Sequence, residues 1–341
     1  RFIPLRKLLF SATLTRDPQK LSQLGLVHPK HFDAHHHHPP PTDPTPNNQP
    51  QSQKYSLPPT LSEYTIECTA KQKPLLLLAI LLQERQKRTR KHDIVCIFTS
   101  SLDSTHRLAR LLQLLWANAN YGPISSVAEF SSALTQHERT KLLRRCCSSS
   151  SLPPNSRNNP NNQKFPNKKH HHHHHPTSTS SSSSSSTTTT ITMPIEILVC
   201  SDGMSRGMDI PNLSTVIHYD VPTYAKTYVH RCGRTARAGR RGTSVAMLKV
   251  PGQSHSFARM RNLVRNVDNV QKYGIASMGD TFGREGYADL VRNVYPWCVK
   301  KLGDVMQDEK EGVLKCLELL NGDEWIRIPP ASSSAATAGA G

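Results

Sequence analysis

Several features that would point to other kinds of protein are scarce or missing in this sequence. Of its 341 residues, 36% are hydrophobic, 6% are aromatic and 25 are proline. Every apolar run falls short of the ~20 residues that a membrane-spanning helix needs. The eight cysteines include no Cys-x-x-Cys pair and no spacing typical of zinc ligands. These absences argue against a membrane helix and a zinc site, fit a reducing compartment, and predict that part of the chain is unfolded.

Acidic residues are also in deficit, and the resulting charge is unevenly spread. The net charge is +18 and the isoelectric point is near 9.8, which indicates a polyanionic partner. Residues 139–169 hold eight Lys or Arg and no acid, whereas residues 276–341 hold seven bases against ten acids. The C-terminal part is therefore not expected to be a nucleic-acid-binding arm.

From residue 61 onward, apolar runs typical of strands alternate with periodic segments typical of helices. This order predicts an α/β fold, in which a parallel sheet carries helices on both faces. Thr135 is the expected N-cap of the helix at 135–147, and Glu138 completes a capping box. The predicted strands are 64–68, 94–99, 127–130, 196–201, 214–219 and 243–250, and the other predicted helices are 73–86 and 104–116.

Low-complexity segments interrupt this pattern. Residues 34–60, rich in His, Pro, Asn and Gln, are predicted to be a linker, and residues 148–193 a disordered insert. The six histidines at 170–175 could bind a metal, but we favour a spacer because no second ligand cluster has a defining spacing.

A different composition returns after residue 275. Residues 276–330 are predicted to form a helical extension, with helices at 287–301 and 312–320, and residues 331–341 a disordered tail. The extension either docks on the sheet or presents a surface to a partner. Its scattered aromatic and apolar side chains at helical spacing favour docking, because such side chains usually belong to a core.

Two blocks in the second half of the chain carry the chemistry. The block His-Arg-Cys-Gly-Arg-Thr-Ala-Arg at 230–237 places Arg231, Arg234 and Arg237 within two helical turns. A guanidinium keeps its charge and presents a planar fork of donors suited to phosphate. Upstream, Gly207 admits close backbone approach and Asp209 is an acceptor suited to a ribose hydroxyl. The two blocks predict one half of a nucleotide site, the alternative being a solvated basic helix face.

These blocks resemble motifs VI and V of the DEAD-box branch of superfamily-two helicases, and Ser-Ala-Thr at 11–13 is similar to motif III. The resemblance covers residues 1–33, 61–147 and 194–270. It implies RecA-like domains, with residues 1–33 as the end of a first domain and residues 61–275 as the second.

In that family, ATP binds between the two domains. The resemblance implies that Arg234 and Arg237 reach the β- and γ-phosphates, with Arg237 as the arginine finger. A helix histidine without a functional role is the alternative for His230. The residues implied in nucleotide binding are Gly207, Asp209, Arg234 and Arg237, and those implied in coupling between the domains are Ser11, Thr13 and His230.

RNA crosses both domains of these helicases on another face. The implied contacts are Thr99 and Ser100, similar to motif IV, Arg139, similar to motif IVa, and Ser201 and Gly203 of motif V. Hydroxyls and an arginine suit backbone phosphates and 2′-hydroxyls, which carry no sequence information. Ser201 stands where the family usually has threonine, and Gly203 where it has a bulkier apolar residue, so the expected contacts keep the hydroxyl but lose bulk.

Two family elements are missing from the sequence. It lacks the Gly-x-x-x-x-Gly-Lys-[Ser/Thr] phosphate loop and the Asp-Glu-Ala-Asp box, which hold phosphate and Mg²⁺. It also begins at Arg1 rather than Met, so we expect a fragment or an incomplete gene model that is inactive alone. The full-length protein is expected to be an ATP-dependent RNA helicase that uses ATP and Mg²⁺. The alternative is a truncated, non-catalytic module that binds RNA or a partner helicase.

The sequence in and around the motifs is most similar to that of nucleolar DEAD-box proteins that assist large-ribosomal-subunit assembly. This similarity implies RNA remodelling in ribosome biogenesis, with pre-ribosomal RNA and ribosome-assembly proteins as partners, no membrane, and a location in the nucleus and nucleolus. A DNA helicase is disfavoured, because the combination of the arginine block with Ser-Ala-Thr is typical of the DEAD-box branch.

Overall fold

A computed structural model describes Lys30 and residues 55–88, 90, 92–147, 194–204, 210, 212–265, 270–275 and 277–311. Several expectations concern residues outside these ranges. They are motif III with Ser11 and Thr13, the motif V residues Gly207 and Asp209, the insert at 148–193, the helix at 312–320 and the tail at 331–341.

A parallel sheet forms the centre of the described part of the chain, which contains nine strands. Seven of them pair in the order β4–β5–β3–β6–β7–β2–β9, all in parallel, and the short strands β1 and β8 pair with each other. The predicted α/β fold with a RecA-like parallel sheet is therefore confirmed. The strands are β1 (Tyr55–Ser56), β2 (Leu61–Cys68), β3 (Ile94–Thr99), β4 (Val127–Phe130), β5 (Ile197–Ser201), β6 (Leu213–His218), β7 (Gly242–Lys249), β8 (Val264–Arg265) and β9 (Gln271–Lys272).

Helices connect the strands and cover both faces of the sheet. Within the described ranges, no helix has the length and apolar character needed to span a bilayer. The helices are α1 (Lys73–Gln86), α2 (Leu102–Asn118), α3 (Gln136–Cys147), α4 (Ala225–Cys232), α5 (Gln253–Arg261), α6 (Met278–Phe282), α7 (Arg284–Asp289) and α8 (Tyr295–Lys310), with a π-helical turn at Leu290–Val294.

The all-apolar strands are explained by this two-sided packing, because alternate residues of a strand point to opposite faces. In β3, Val95 and Ile97 lie in the core shared with α1 and α2, whereas Cys96 and Phe98 lie in the core shared with α3. Cys96 is fully buried, and its Sγ lies 3.4 Å from that of Cys200 on the neighbouring strand. Both are free thiols that pack as small apolar side chains.

Helix α3 begins where its cap predicts. The Thr135 backbone N–H donates to Glu138 Oε2 at 2.7 Å, and the Glu138 N–H donates back to Thr135 Oγ1 at 3.3 Å. These reciprocal bonds satisfy two N–H groups that the first turn leaves without a partner. The predicted capping box is confirmed.

The predicted linker at 34–60 extends too far. Its last residues include strand β1, which pairs with β8 through Tyr55 and Val264. Leu57 is 5% exposed and shares a core with Phe257 and Val264. Two apolar side chains in a polar segment were enough to anchor it, because a partner far along the chain buries them. Residues 55–57 therefore belong to the folded domain rather than to the predicted linker.

The C-terminal helices pack on the α2 side of the domain. Cys298, Leu302 and Val305 of α8 are buried in the core that also holds the Leu-rich face of α2. The helix predicted at 287–301 is longer than expected: it continues to Lys310 and is preceded by the π-helical turn at Leu290–Val294. Glu309, near the end of α8, forms an ion pair with Arg110 of α2 at 2.6 Å. Apolar burial and this ion pair together hold α8 against α2.

Candidate functional site

Because all strands of the sheet are parallel, their ends define two opposite edges. The carboxyl edge comprises the last residues of β3, β4 and β5 and the residues that follow them. The amino edge comprises the first residues of β6 and β7 and the loops that lead into them. Of the predicted site residues that the structure describes, the RNA set lies at the carboxyl edge and Arg234 and Arg237 lie at the amino edge.

Thr99 and Ser201 lie side by side at the carboxyl edge, as Cα partners at the ends of β3 and β5. Thr99 is fully buried, and its Oγ1 hydrogen-bonds that of Thr105 at 2.6 Å, so it holds the start of α2 instead of facing solvent. Ser201 is 4% exposed, and among the described residues no group hydrogen-bonds its hydroxyl. The exposed hydroxyl of this pair of strands is that of Ser100.

Ser100 is held in place by the carboxylate of Asp220, which follows the neighbouring strand β6. Its backbone N–H and its hydroxyl both donate to Asp220 Oδ2, at 3.1 and 3.2 Å. Lys73 Nζ pairs with the other oxygen of Asp220 at 3.2 Å and lies over the Tyr219 ring. Immediately after Ser100, Ser101 caps α2 by accepting from the Ser104 N–H at 3.1 Å. The first turn of a long helix is thus presented at this edge beside an exposed serine.

Arg139 and Gly203 complete the carboxyl edge around the loop after β4. The Arg139 guanidinium donates to the carbonyls of Leu134 at 2.9 Å and Ser132 at 3.4 Å. A methyl group placed on Gly203 would come within 4.0 Å of Ser132 Oγ. The structure therefore brings these two predicted RNA contacts to one loop, next to Ser201.

Helix α4 carries the arginine block from the carboxyl edge to the amino edge. Beyond its end, Thr235 Oγ1 lies 2.8 Å from the carbonyl oxygens of both Leu213 and Ser214, at the start of β6. Arg234 Nε donates to the His230 carbonyl at 3.2 Å, and Arg237 Nε to the Gly233 carbonyl at 2.8 Å. These bonds to the last turn fix the direction of both guanidinium groups. His230 itself lies half-buried on α4.

The structure separates the three arginines of the block. Arg231 is fully buried, whereas Arg234 and Arg237 line a cleft at the amino edge. Its Nε donates to Asp202 Oδ1 and its Nη1 to the Asp220 carbonyl, each at 2.6 Å. Arg231 lies within α4, whereas Arg234 and Arg237 follow Cys232, its last residue. The face of Arg231 packs on the sheet, so this guanidinium is an internal ion-pair partner.

The amino-edge cleft has a volume of about 860 Å³ and is strongly basic. Arg240 and Arg241 continue its rim beyond the arginine block, and Lys87, Arg88 and Arg90 face them from the loop after α1. Sequence reasoning missed these five side chains. The available signal was the dense run of bases at 85–91, which a motif search passes over because it matches no spacing.

The floor of the cleft is a buried carboxylate with its charge fully engaged. Glu84 accepts from Thr215 Oγ1 and from the Tyr273 hydroxyl, each at 2.6 Å, and pairs with Lys87 at 3.4 Å. Burial and the adjacent Glu84 raise the pKa of Tyr273 far above its usual value, so the phenol stays a donor. Within the described residues, no group of three His, Cys, Asp or Glu side chains could hold a metal ion.

The end of the arginine block and the loop after it contain two non-glycine residues in the left-handed region. Ala236 and Ala238 have φ of +54° and +52°. We expect Ala238→Gly to stabilise the fold by up to about 1 kcal/mol, because glycine removes the Cβ clash of this conformation. Ala258→Gly, at an exposed site inside α5, is the matched control and should destabilise by about 1 kcal/mol. Urea unfolding of both variants measures the change in the free energy of unfolding, which should be an increase in Ala238→Gly and a decrease in Ala258→Gly. A loss of stability in Ala238→Gly would contradict the argument.

Comparisons with known proteins agree on one group. A family model described as "Helicase conserved C-terminal domain" matches residues 161–239. The ATP-dependent RNA helicase DDX51 of Danio rerio is 35% identical over 260 residues, which cover 76% of this chain and 30% of that protein. The ATP-dependent RNA helicase dbp6 of Schizosaccharomyces pombe is 30% identical over 272 residues, covering 80% and 36%. The chain thus spans about a third of the length of the curated relatives it matches.

Among solved structures, the chain is similar to the DEAD-box helicase domain 2 of Mss116p bound to an RNA duplex. The identity is 18%, the TM-score is 0.40, and the match covers 73% of this chain and 87% of that one.

Proposed function

We propose that this chain, a member of the DEAD-box family of RNA helicases, supplies the second RecA-like domain of an ATP-dependent RNA helicase. In this proposal, single-stranded RNA binds the carboxyl edge and ATP binds the amino edge. Residues 61–275 form the domain, residues 276–330 its helical extension, and residues 1–33 the end of a first domain that carries the remaining ATP and Mg²⁺ ligands.

The proposal for RNA rests on the Ser201 hydroxyl, which is buried and has no hydrogen-bond partner among the described residues. A buried hydroxyl without a hydrogen-bond partner destabilises the fold by about 1–3 kcal/mol. A ligand that supplies a partner would remove this cost. A backbone phosphate or 2′-hydroxyl at the carboxyl edge would supply the missing hydrogen bond. The same ligand would meet the first turn of α2, where unpaired N–H groups and the helix dipole favour an anion. Exposed Ser100 and half-buried Arg139 flank that position.

The residues at the amino edge fit the phosphates of ATP. Arg234 and Arg237 line the basic cleft, and their Nε bonds to α4 hold each guanidinium in one orientation. When bound, ATP supplies the phosphoryl group whose transfer to water drives remodelling. Arg237 is assigned to the charge that develops on that group, and Arg234 to the ground-state phosphates. His230, Ser11 and Thr13 are assigned to the contact between the two domains, and Gly207 and Asp209 to the ribose.

RNA binding by the 1–341 chain tests this assignment. Fluorescence anisotropy with a labelled oligouridylate should show affinity that falls as salt rises, because binding releases counterions from phosphates. Arg139→Ala should weaken binding and reduce the magnitude of the salt slope by about 1, as expected for one lost phosphate contact. Arg259→Ala, which removes an exposed charge from α5, is the matched control and should change neither. Equal losses in both variants would mean that RNA binds by net charge alone.

Ser201→Ala separates RNA binding from stability. The substitution removes a buried hydroxyl that has no partner within the described residues, so the melting temperature should stay the same or rise. RNA affinity should fall by about tenfold, the value of one lost hydrogen bond of about 1.4 kcal/mol. A clear drop in melting temperature with unchanged RNA affinity would show that the hydroxyl serves the fold instead.

We propose further that the RNA is pre-ribosomal, that ribosome-assembly proteins are partners, and that the protein acts in the nucleolus. The sequence in and around the motifs supports this proposal, as does the net charge of +18, which suits a polyanionic substrate. Sequencing of RNA crosslinked to the protein in cells tests the proposal. Enrichment of messenger RNA in place of ribosomal precursors would overturn it.

A further inference from the structure

The buried guanidinium of Arg231 bonds two segments of the carboxyl edge, whereas Arg234 and Arg237 line the cleft at the amino edge. Its Nε donates to Asp202, which lies between Ser201 and Gly203 at the carboxyl edge. Its Nη1 donates to the carbonyl of Asp220, whose carboxylate holds Ser100. One side chain thus contacts both segments to which RNA binding is assigned.

The same residue is part of the helix that sets the amino edge. Arg231 lies in the last turn of α4, and its own carbonyl accepts from the Arg234 N–H at 3.0 Å. Gly233 is the first residue after α4, and its carbonyl accepts from Arg237 Nε. A shift of Arg231 therefore moves the backbone carbonyls to which both cleft arginines are bonded.

The surroundings of Arg231 hold its side chain in one position. It is fully buried, its guanidinium lies 5.2 Å from the centroid of the Phe98 ring, and Nη2 also approaches Asp202 Oδ1 at 2.6 Å. A buried guanidinium must keep its partners, because an uncompensated charge in the interior is strongly destabilising. When Asp202 or the Asp220 backbone moves, Arg231 is expected to follow.

We propose that Arg231 is a positioning residue that transmits occupancy of the carboxyl edge to Arg234 and Arg237. RNA bound at Ser100 and Ser201 fixes Asp220 and Asp202, these fix Arg231, and the end of α4 then holds the cleft arginines in one arrangement. This inference rests on the proposed RNA site but adds a residue and a route that the assignment of His230, Ser11 and Thr13 to domain coupling does not contain.

Hydrogen exchange on the full 1–341 chain tests the link without ATP turnover. Backbone exchange of residues 233–242 is measured by mass spectrometry with and without saturating oligouridylate. In the unaltered chain, RNA should slow exchange there by about fivefold, the lower end of typical coupling between sites. Asp202→Asn keeps the shape of the side chain but removes its charge, and it should bind RNA with little change while the slowing at 233–242 is lost.

The control is Asp103→Asn, which neutralises an exposed carboxylate in the first turn of α2, at the same edge and without an Arg231 contact. It should keep the RNA-dependent slowing. Arg231→Lys provides a second variant, because a single ammonium cannot reach both Asp202 and the Asp220 carbonyl, and it should also lose the slowing. Normal slowing in both Asp202→Asn and Arg231→Lys would overturn the proposal, as would RNA binding by the unaltered chain with no slowing. Absence of RNA binding would overturn the proposed function itself.

Discussion

Arg237→Ala lowers the rate of RNA-stimulated ATP hydrolysis by about 10³-fold in a protein completed with a phosphate-loop domain, if Arg237 is the arginine finger. This corresponds to about 4 kcal/mol of transition-state stabilisation. ATP affinity should change far less, because the guanidinium acts mainly on charge that develops during transfer. Arg237→Lys should restore little, since a point charge cannot reproduce the fork whose direction the Gly233 carbonyl fixes. Phosphate release under saturating ATP and RNA is the measurement.

Arg241→Ala is the matched control for this prediction. Arg241 is exposed on the rim of the same cleft, so its loss removes one charge without removing the finger. Similar losses in Arg237→Ala and Arg241→Ala would mean that the cleft acts through its general positive potential. If Arg237→Ala kept normal turnover while Arg139→Ala abolished ATP binding, the assignment of the two edges would be reversed.

The second large effect is a loss of stability at alkaline pH through His106. This side chain lies between Glu129 Oε2, at 2.8 Å, and Glu309 Oε2, at 2.6 Å, and so joins α2 to β4 and to α8. The hydrogen bond to Glu129, followed by that to Glu309, raises the pKa of His106 to about 9. In the unfolded chain the pKa returns to about 6.5, so the folded state holds a proton that the unfolded state releases.

The direction of the pH dependence of stability follows from this difference in pKa. The stabilisation is complete below pH 6.5 and is lost as pH rises through 9. Because the side chain is 30% exposed, the full shift is discounted for solvent screening, and the loss between pH 7 and 9.5 should be about 2 kcal/mol. Urea unfolding across this range should show the loss in the unaltered chain and a flatter profile in His106→Gln. His137→Gln, at an exposed site on α3, should leave the profile unchanged. Parallel profiles for all three proteins would contradict the argument.

The parts of the fold that the sequence could predict are those whose burial is local and complete. Strands β3 and β4 and helix α1 occupy the predicted residues, because continuous apolar runs bounded by polar segments leave few other arrangements. Strands β1, β8 and β9 have two residues each and were not predicted. Each exists only because a distant strand pairs with it, and such pairing leaves no periodic signal in so short a segment.

The candidate site divides in the same way. The motif spacing placed Arg234 and Arg237 together, and the structure puts both at one cleft. It could not separate them from Arg231, because residue type does not report which face of a helix is covered. Nor could it predict that Glu84 would be buried beneath the cleft, since its partners Thr215 and Tyr273 are far away in sequence. Roles that depend on burial and on long-range partners become visible only in the folded chain.

The direction of helix α3 has a consequence for how this protein tolerates additional chain. Arg145, near the end of α3, donates to the Ser125 carbonyl before β4, and Glu196, before β5, donates to the Ser126 carbonyl. The chain therefore leaves α3 and enters β5 on the amino side of the sheet, where β5 lies two strand positions from β6. The junction between α3 and β5 is thus at the edge opposite to the one assigned to RNA. It is accordingly the natural place to insert an affinity tag or a fluorescent reporter.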